Sequence, residues 1–211
     1  MTALDTPQLI ALAAALGWAS GLRLYAVLFI TGAAGFLGWV PLPEGLKVLQ
    51  HPIVMTLAGV MFAAEFFADK IPALDTLWDL VHTFIRIPAG AALAASVFGG
   101  DTATWATVAG LLGGTLAATA HTAKATTRAA VNASPEPFSN IGLSLLGDAA
   151  VPGMLWLAWQ QPTWFFVALA VAVVAGLVLT WWLFRFLRLL WQRLTGRGGP
   201  VPAASTPALS R

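Results

Sequence analysis

Acidic and basic side chains recur at helical spacing in the middle of this chain. Asp75 and Asp79 are four residues apart, and His82 and Arg86 follow at steps of three and four. On a helix, these steps place the side chains on one face. Because like charges at four-residue spacing repel each other, we expect the two carboxylates to share either a cation or a basic partner from another helix.

Two carboxylates beside a histidine suit a hard or borderline divalent cation. The pattern therefore suggests a metal site at Asp75, Asp79 and His82, with a divalent cation such as Mg²⁺ as the cofactor. The alternative, which the sequence favours, is a solvated helix on which Asp79, His82 and Arg86 pair locally. Both interpretations stay open at the level of the sequence.

Basic side chains also interrupt the apolar runs, at Arg23, Arg86, Lys124 and Arg128. A cation at the centre of a membrane helix costs at least about 2.5 to 3.5 kcal/mol, so each one needs compensation. We expect either a buried ion-pair network, with Asp148 among the counter-ions, or a polar cavity that receives an anionic ligand. The residues expected at such a site are Arg23, Glu65, Asp69, Arg86, His121, Lys124, Arg128 and Glu136.

Each of these residues also has a simpler interpretation. The long basic side chains could extend to the membrane surface. His82 and His121 could shuttle protons near neutral pH, but a hydrogen-bonded structural role is the expectation that we favour for both. Glu136 lies in a proline-rich connector that could be an ordinary surface loop.

The elements that hold these residues are apolar helices. Of the 211 residues, 58% are hydrophobic and 9% are charged, values far from those of soluble proteins. Backbone amides must be paired in hydrocarbon, and no run alternates like a barrel strand. We therefore predict an all-α fold: a polytopic membrane helix bundle of about six transmembrane or re-entrant helices.

The expected organisation is a single transmembrane helical domain over residues 1–195, followed by a disordered basic tail over residues 196–211. Similar patterns around His82 and His121 suggest two three-helix halves, 8–98 and 104–190, as in transporters that are built from repeats. A chance similarity between Ala- and Thr-rich helices is the alternative, and it is the one that we favour.

Arginines cluster at the C-terminal end, where Arg185 and Arg188 follow Trp181 and Trp182. This order predicts a cytoplasmic C-terminus and a membrane-surface anchor rather than a nucleic-acid site. The expected partners are membrane lipids and a small anionic ligand, with no nucleic acid. The absence of cysteine excludes disulfides, thiolate metal sites and cysteine nucleophiles, and the nucleotide-binding, zincin and serine-hydrolase motifs are also missing.

Four segments, in this order along the chain, carry a family resemblance. They are Gly17–Arg23, Glu65–Pro72, Asp79–Gly90 and Ser134–Asn140. Together they resemble an uncharacterised bacterial membrane family, domain of unknown function 4126, over about residues 10 to 185. The resemblance implies a small multi-helix protein of the bacterial inner membrane, and it implies no reaction, substrate or catalytic residue.

Three function hypotheses follow from the charged residues. The leading one is a transporter or channel-like protein with a charged intramembrane site for an anionic solute or a lipid head group. The second is a membrane-embedded enzyme that acts on a phosphorylated lipid with a divalent metal. The third is a non-catalytic scaffold whose charges only specify packing. We expect that the protein is not an enzyme.

Overall fold

The computed structural model describes residues 4–71, 74–99, 103–132 and 138–194. These residues form six α-helices and one short 3-10 helix. The α-helices are α1 (Thr6–Phe36), α2 (Pro52–Ala68), α3 (Leu74–Ser96), α4 (Ala103–Asn132), α5 (Phe138–Gln160) and α6 (Pro162–Leu194), and the 3-10 helix spans Glu44–Gln50. No strand occurs within the described ranges, and the predicted all-α bundle is confirmed.

Local sequence sets where the first two α-helices begin. Asp5 caps α1, because its carboxylate accepts a hydrogen bond from the Gln8 amide at 2.8 Å while the Gln8 side chain accepts one from the Asp5 amide. His51 caps α2 in a similar way, through a hydrogen bond from the Ile53 amide to its Nδ1 atom. Each cap satisfies backbone donors that a helix end leaves unpaired.

Helix α1 is broken at Arg23, whose backbone is non-helical with φ −148° and ψ 84°. A break inside a helix frees carbonyl groups from their i+4 partners, and membrane proteins tolerate this only where protein or a cavity covers the break. Here the Leu22 carbonyl accepts a hydrogen bond from Lys124 Nζ at 3.1 Å. A basic side chain of α4 therefore stabilises the break in α1.

Helix α1 lies at the centre of the bundle and contacts all the other described helices. Gly17 and Gly21 of α1 are four residues apart and both contact α4. Small residues at this spacing let helix backbones approach closely. A Cβ atom added to Gly17 would lie 2.5 Å from the Cα atom of Gly113, and one added to Gly21 would overlap the Ala117 carbonyl. Gly90 of α3 packs against the same Ala117, so three helices share this close contact.

The bundle has charged residues inside and large apolar residues outside. Glu65 and Arg86 are 0% exposed, whereas Phe84 is 80% exposed and Trp182 is 61% exposed. Soluble monomers rarely present apolar surface on this scale. Because hydrocarbon is the solvent that such a surface needs, the exposed side chains agree with the membrane protein that the composition indicates.

Among the described residues, three helices are long and apolar enough to cross a membrane: Thr6–Phe36, Ile141–Gln160 and Pro162–Leu189. A fourth span results if the 3-10 helix and α2, which meet at an angle of 71°, count as one. Neither α3 nor α4 meets this criterion; both carry several of the charged residues. The figure of about six crossings, which includes re-entrant segments, stays a prediction.

Some predictions concern parts of the chain where the structure provides no test. The tail over residues 196–211 lies outside the described residues, as does Glu136. The boundary between the predicted halves, 8–98 and 104–190, falls between α3 and α4, so each half contains three α-helices. That the halves are repeats, and that residues 1–195 form one domain, stay predictions.

Candidate functional site

Ten charged side chains from five helices, or from the turns that end them, form one connected ion-pair network. The cations are Arg23, Lys70, Arg86, Lys124 and Arg128, and the anions are Glu65, Asp69, Asp75, Asp79 and Asp148. The sequence assigned eight residues to a ligand site or an ion-pair network, and the structure describes all of them except Glu136. Six of the seven described residues belong to this network, and the seventh, His121, contacts it. Over the residues that the structure describes, the formal charges of the network balance, with five cations against five carboxylates, and Arg128 joins the network through Asp69.

Asp69, directly after α2, has three cationic partners. Its Oδ2 atom lies 2.9 Å from Arg23 Nη1, 3.0 Å from Lys124 Nζ and 3.4 Å from Arg128 Nη2. The Asp69 backbone carbonyl also accepts a hydrogen bond from Arg128 at 2.8 Å. Because this carboxylate is fully buried, it holds α1 and α4 to the end of α2 in a region that excludes water.

Arg86 connects α3 to α2. Its Nη2 atom donates to Glu65 at 2.6 Å, and its Nη1 atom donates to Asp79 at 2.6 Å. Lys124 lies 3.1 Å from the same oxygen of Asp79 and also pairs with Asp69. Lys124 therefore links the cations around Asp69 to the Arg86 cluster, and Arg128, at 3.9 Å from Asp79, makes a second and longer connection.

Helix α5 supplies residues that the sequence analysis did not assign to the site. Arg23 lies 2.8 Å from Asp148 and donates to the Ser144 hydroxyl at 2.9 Å. Lys70 pairs with Asp148 at 3.1 Å and lies 3.0 Å from the centre of the Phe66 ring. The sequence had suggested Asp148 only as a counter-ion. It did not indicate Lys70 or Ser144, because a lysine at a helix end and a single serine form no spacing pattern that predicts a site.

The network extends towards the surface at the start of α3. Arg128 donates to Asp75 at 2.8 Å, and Asn132 donates to the other oxygen of Asp75 at 3.1 Å. Asn132 also donates to the Thr76 hydroxyl at 3.0 Å, and Thr76 is exposed. The ion pairs therefore continue from the buried centre to one end of the bundle.

The three residues suggested as metal ligands each have protein partners. Asp75 pairs with Arg128, and Asp79 pairs with Arg86. His82 donates from Nδ1 to the Trp78 carbonyl at 2.8 Å and bonds to the Tyr25 hydroxyl through Nε2 at 3.2 Å. Within the described ranges, no group of three His, Cys, Asp or Glu residues could hold a metal ion. Pairing with basic side chains counts against the metal hypothesis, which stays a prediction.

Added Mg²⁺ is accordingly expected to leave the thermal unfolding midpoint of the purified protein unchanged. If the protein had a Mg²⁺ site, a Mg²⁺ concentration of about a hundred times its Kd would raise the free energy of unfolding by about 2.7 kcal/mol. A thermal melt detects an effect of this size easily. The measurement is unfolding in detergent with EDTA or with excess Mg²⁺, with Ca²⁺ as a second ion. A shift that disappears in Asp75→Asn would support the metal site instead.

His121 is fixed by hydrogen bonds beside Arg86. The Thr83 hydroxyl donates to the Asp79 carbonyl at 2.8 Å and lies 2.7 Å from His121 Nε2. The other ring nitrogen lies 3.5 Å from Arg86 Nη1. These contacts suit a positioning role for His121 next to Arg86.

A cleft of about 240 Å³ opens beside the network, between α1, α4, α5 and α6. Its polar end is formed by Arg23, Asp69, Lys124 and Arg128. Its other walls are mainly apolar and include Trp18, Leu22, Leu143, Leu146 and Leu179. Charged groups therefore meet an apolar chamber at the point where α1 is broken.

One buried donor of a cleft-lining residue lacks a well-aligned hydrogen bond. Although Arg23 Nη1 lies 2.9 Å from Asp69, it makes no hydrogen bond with good geometry to any described residue. A buried donor without a hydrogen bond is rare in proteins and calls for a partner. Arg23 also lines the cleft, so this imperfectly bonded side chain lies beside the cavity.

Comparison with protein families identifies the chain. The family model described as Domain of unknown function (DUF4126) matches residues 10–183. The chain belongs to the DUF4126 family. The DUF4126 match includes all ten residues of the network and the whole lining of the cleft, and it confirms the resemblance found in the sequence. No curated protein and no solved structure matches the chain.

Proposed function

We propose that this protein is a membrane transporter whose substrate is an anion with an apolar part, bound in the cleft beside the ion-pair network. The observation that carries the proposal is the cleft itself, in which apolar walls end at Arg23, Lys124 and Arg128. Ligand sites are typically apolar cavities with a few convergent polar groups. An organic anion suits both parts of this cleft.

The broken helix supports transport in particular. Secondary transporters commonly place their substrate sites where a transmembrane helix is discontinuous near the middle of the membrane. Helix α1 is broken at Arg23, and both Arg23 and Leu22 line the cleft. A substrate that binds there contacts backbone and side chains at the position where α1 can bend.

The chemistry of binding follows from the donors at the polar end. The anion would accept a hydrogen bond from Arg23 Nη1, which has none with good geometry to the described residues. Lys124 and Arg128 already share Asp69, so each can turn part of its charge towards a ligand without leaving a carboxylate entirely unpaired. The apolar part of the substrate would pack against Leu143 and Leu179.

Two sources could supply this chemistry: the head group of an anionic lipid and a soluble amphiphilic anion. A liquid water molecule occupies about 30 Å³, so the cleft of about 240 Å³ has the volume of about eight water molecules. This space accommodates a head group or the charged end of an amphiphilic anion but not a complete lipid. In the case of a lipid, the acyl chains would extend between helices into the bilayer.

Filling the cleft is expected to slow transport strongly while the fold survives. Leu143 lines the cleft and is half-buried, whereas Leu145 on the same helix is exposed and does not line it. We expect Leu143→Trp to slow transport about tenfold or more, the equivalent of about 1.4 kcal/mol, and we expect Leu145→Trp to behave like the wild type. Unfolding midpoints of both variants control for damage to the fold.

The assay uses two probes in liposomes of phosphatidylcholine. Uptake of labelled decanesulfonate tests for a soluble anion, and reduction of a fluorescent phosphatidylglycerol by external dithionite tests for lipid movement between leaflets. Movement of one probe by the wild type, with loss in Leu143→Trp, supports transport and identifies the source. If the wild type moves neither probe, or if both variants move them equally, the proposal is wrong.

A scaffold is the second candidate, and one observation favours it. The five cations of the network are balanced by five carboxylates, and buried ion pairs can serve packing alone. A scaffold would bind neither probe in its folded wild-type form. The enzyme hypothesis has no comparable support, because basic residues already pair with the carboxylates that a metal would need.

We further infer a location in the bacterial inner membrane with a cytoplasmic C-terminus. The exposed Trp181 and Trp182 near the end of α6 suit a membrane interface. The Arg185 guanidinium lies 5.0 Å from the Trp181 ring, where it can extend towards lipid phosphates. Positive charge at this end favours the cytoplasmic side.

A further inference from the structure

The charge balance of the network has a consequence for substrate binding. The described residues bring five cations and five carboxylates together. An anion that enters the cleft adds one negative charge to this neutral cluster. Excess charge at membrane depth is costly because the surrounding dielectric is low. Binding is therefore favoured if a positive charge enters together with the anion, and the simplest such charge is a proton.

Glu65 has the fewest partners of the five carboxylates among the described residues. Arg86 is its one cationic partner among the described residues, through Oε1. Its Oε2 atom is buried and has no hydrogen-bond partner in the described part of the chain. Asp69 and Asp79 each pair with two or more cations, so protonation there would break more ion pairs.

The two remaining carboxylates are also more strongly held. Asp148 lies between Arg23 and Lys70. Asp75 accepts from both Arg128 and Asn132. Glu65 differs from Asp148 in having one cationic partner instead of two among the described residues, and it differs from Asp75 in having one oxygen without a hydrogen-bond donor there.

We propose that this protein takes up one proton with each anion that binds in the cleft, and that Oε2 of Glu65 is the proton acceptor. The inference rests on the proposed function, since it requires an anionic substrate. The step forms one O–H bond on Glu65 and breaks one O–H bond of a hydronium ion from the surrounding solution, which becomes water, and no covalent bond of the protein breaks. Arg86 keeps Asp79 as its counter-ion, so the neutral Glu65 leaves no unpaired cation.

Lys124 connects the two sites. It lies at the polar end of the cleft and pairs with Asp69, and it also lies 3.1 Å from Asp79. An anion that attracts Lys124 away from Asp79 removes one of the cations that stabilise the Asp79 carboxylate. Asp79 then pairs more closely with Arg86, its other cationic partner at short distance. Because Arg86 is shared between Asp79 and Glu65, Glu65 then loses part of its only ion pair among the described residues and favours the protonated form.

Charged and titratable groups of three helices lie near Glu65, near its partner Arg86 or near Tyr25. They are Tyr25 of α1, Asp79, His82 and Arg86 of α3, and His121 and Lys124 of α4. Tyr25 lies within electrostatic range of Glu65, is only half-buried and shares a hydrogen bond with His82. These groups offer polar contacts between Glu65 and the less buried side of the bundle.

Proton uptake can be counted by calorimetry on the full chain in phosphatidylcholine nanodiscs. Decanesulfonate is the probe because its sulfonate stays ionised across the pH range used, so every proton taken up belongs to the protein. Titrations at one pH in two buffers with different ionisation enthalpies give the number of protons bound per anion. We expect about one proton for the wild type and none for Glu65→Gln, which should still bind the probe. Empty nanodiscs provide the baseline.

Each outcome separates this inference from the proposed function. Binding without proton uptake in the wild type overturns the proton inference and leaves the anion site standing. Uptake that persists in Glu65→Gln shows that another group is the acceptor. Absence of any binding to the wild type contradicts the proposed function, and the proton inference with it.

A second measurement applies if Glu65→Gln does not fold. Infrared difference spectra of the wild type, with and without decanesulfonate, should contain the carbonyl band of a protonated carboxyl group. Labelling glutamate with ¹³C at the side-chain carboxyl should shift this band, and the chain contains only the glutamates Glu44, Glu65 and Glu136. Glu44→Gln and Glu136→Gln should keep the band. A band that does not shift with the label overturns the assignment to Glu65.

Discussion

Asp69→Asn is expected to leave little folded protein. The substitution removes the shared counter-ion of Arg23, Lys124 and Arg128 and leaves buried positive charge without compensation. Breaking one buried ion pair by removing a partner costs about 3 to 5 kcal/mol, and complete domains are stable by about 5 to 15 kcal/mol. Loss of the monodisperse peak in gel filtration and a lower unfolding midpoint in detergent would measure the effect.

The matched control is an ion pair on the surface. Glu44 pairs with Lys47, but its side chain is 82% exposed, and exposed pairs contribute at most about 1 kcal/mol. Glu44→Gln should therefore purify like the wild type. Equal losses in Asp69→Asn and Glu44→Gln would mean that the network does not stabilise the bundle.

Gly21→Val is expected to separate α1 from α4. A Cβ atom at this position would overlap the Ala117 carbonyl, which is backbone and cannot move away as a flexible side chain could. Overpacking a dense core costs about 1 to 3 kcal/mol, and a clash with backbone belongs at the upper end. Because Lys124 lies two turns beyond Ala117 on α4, the same shift should weaken the pair of Lys124 with Asp69. The unfolding midpoint and the yield of folded protein are the readouts.

Gly142→Val is the control for that substitution. A Cβ atom added to Gly142 of α5 meets nothing within 4 Å, so the larger side chain has space. Glycine is among the weakest helix formers, and its replacement at an open site should leave stability unchanged or slightly higher. If both valine variants lost stability to the same degree, close packing at Gly21 could not be the cause.

Helix α1 illustrates how much of the fold could be predicted. Its apolar composition predicts a spanning helix, and Asp5 with Gln8 provides a start signal. The break at Arg23 could not be predicted, because arginine has no intrinsic preference for a non-helical backbone. The break is stabilised by Lys124, which bonds to the Leu22 carbonyl across about one hundred residues of chain.

The site was predictable as a set of residues but not as a set of pairs. Arg23 and Asp69 were both expected at the site from the cost of charge in an apolar run, and both are buried in it. Helical spacing placed Asp79, His82 and Arg86 on one face, but it could not distinguish a metal from a basic partner. The distances to Lys124 and Arg86 favour the basic partner.

Amino-acid composition shows that hydrocarbon surrounds this protein and that its buried charges need compensation. The hydrophobic fraction excludes water as the main solvent, and the cost of isolated charges in hydrocarbon requires every buried arginine to find a partner. Which partner each arginine has depends on the fold, because the pairs join helices far apart in the chain, as Arg23 joins Asp148. The balance of charge among the described residues and the place of Arg23 in the lining of a cleft also depend on the fold, since both follow from which side chains meet in space.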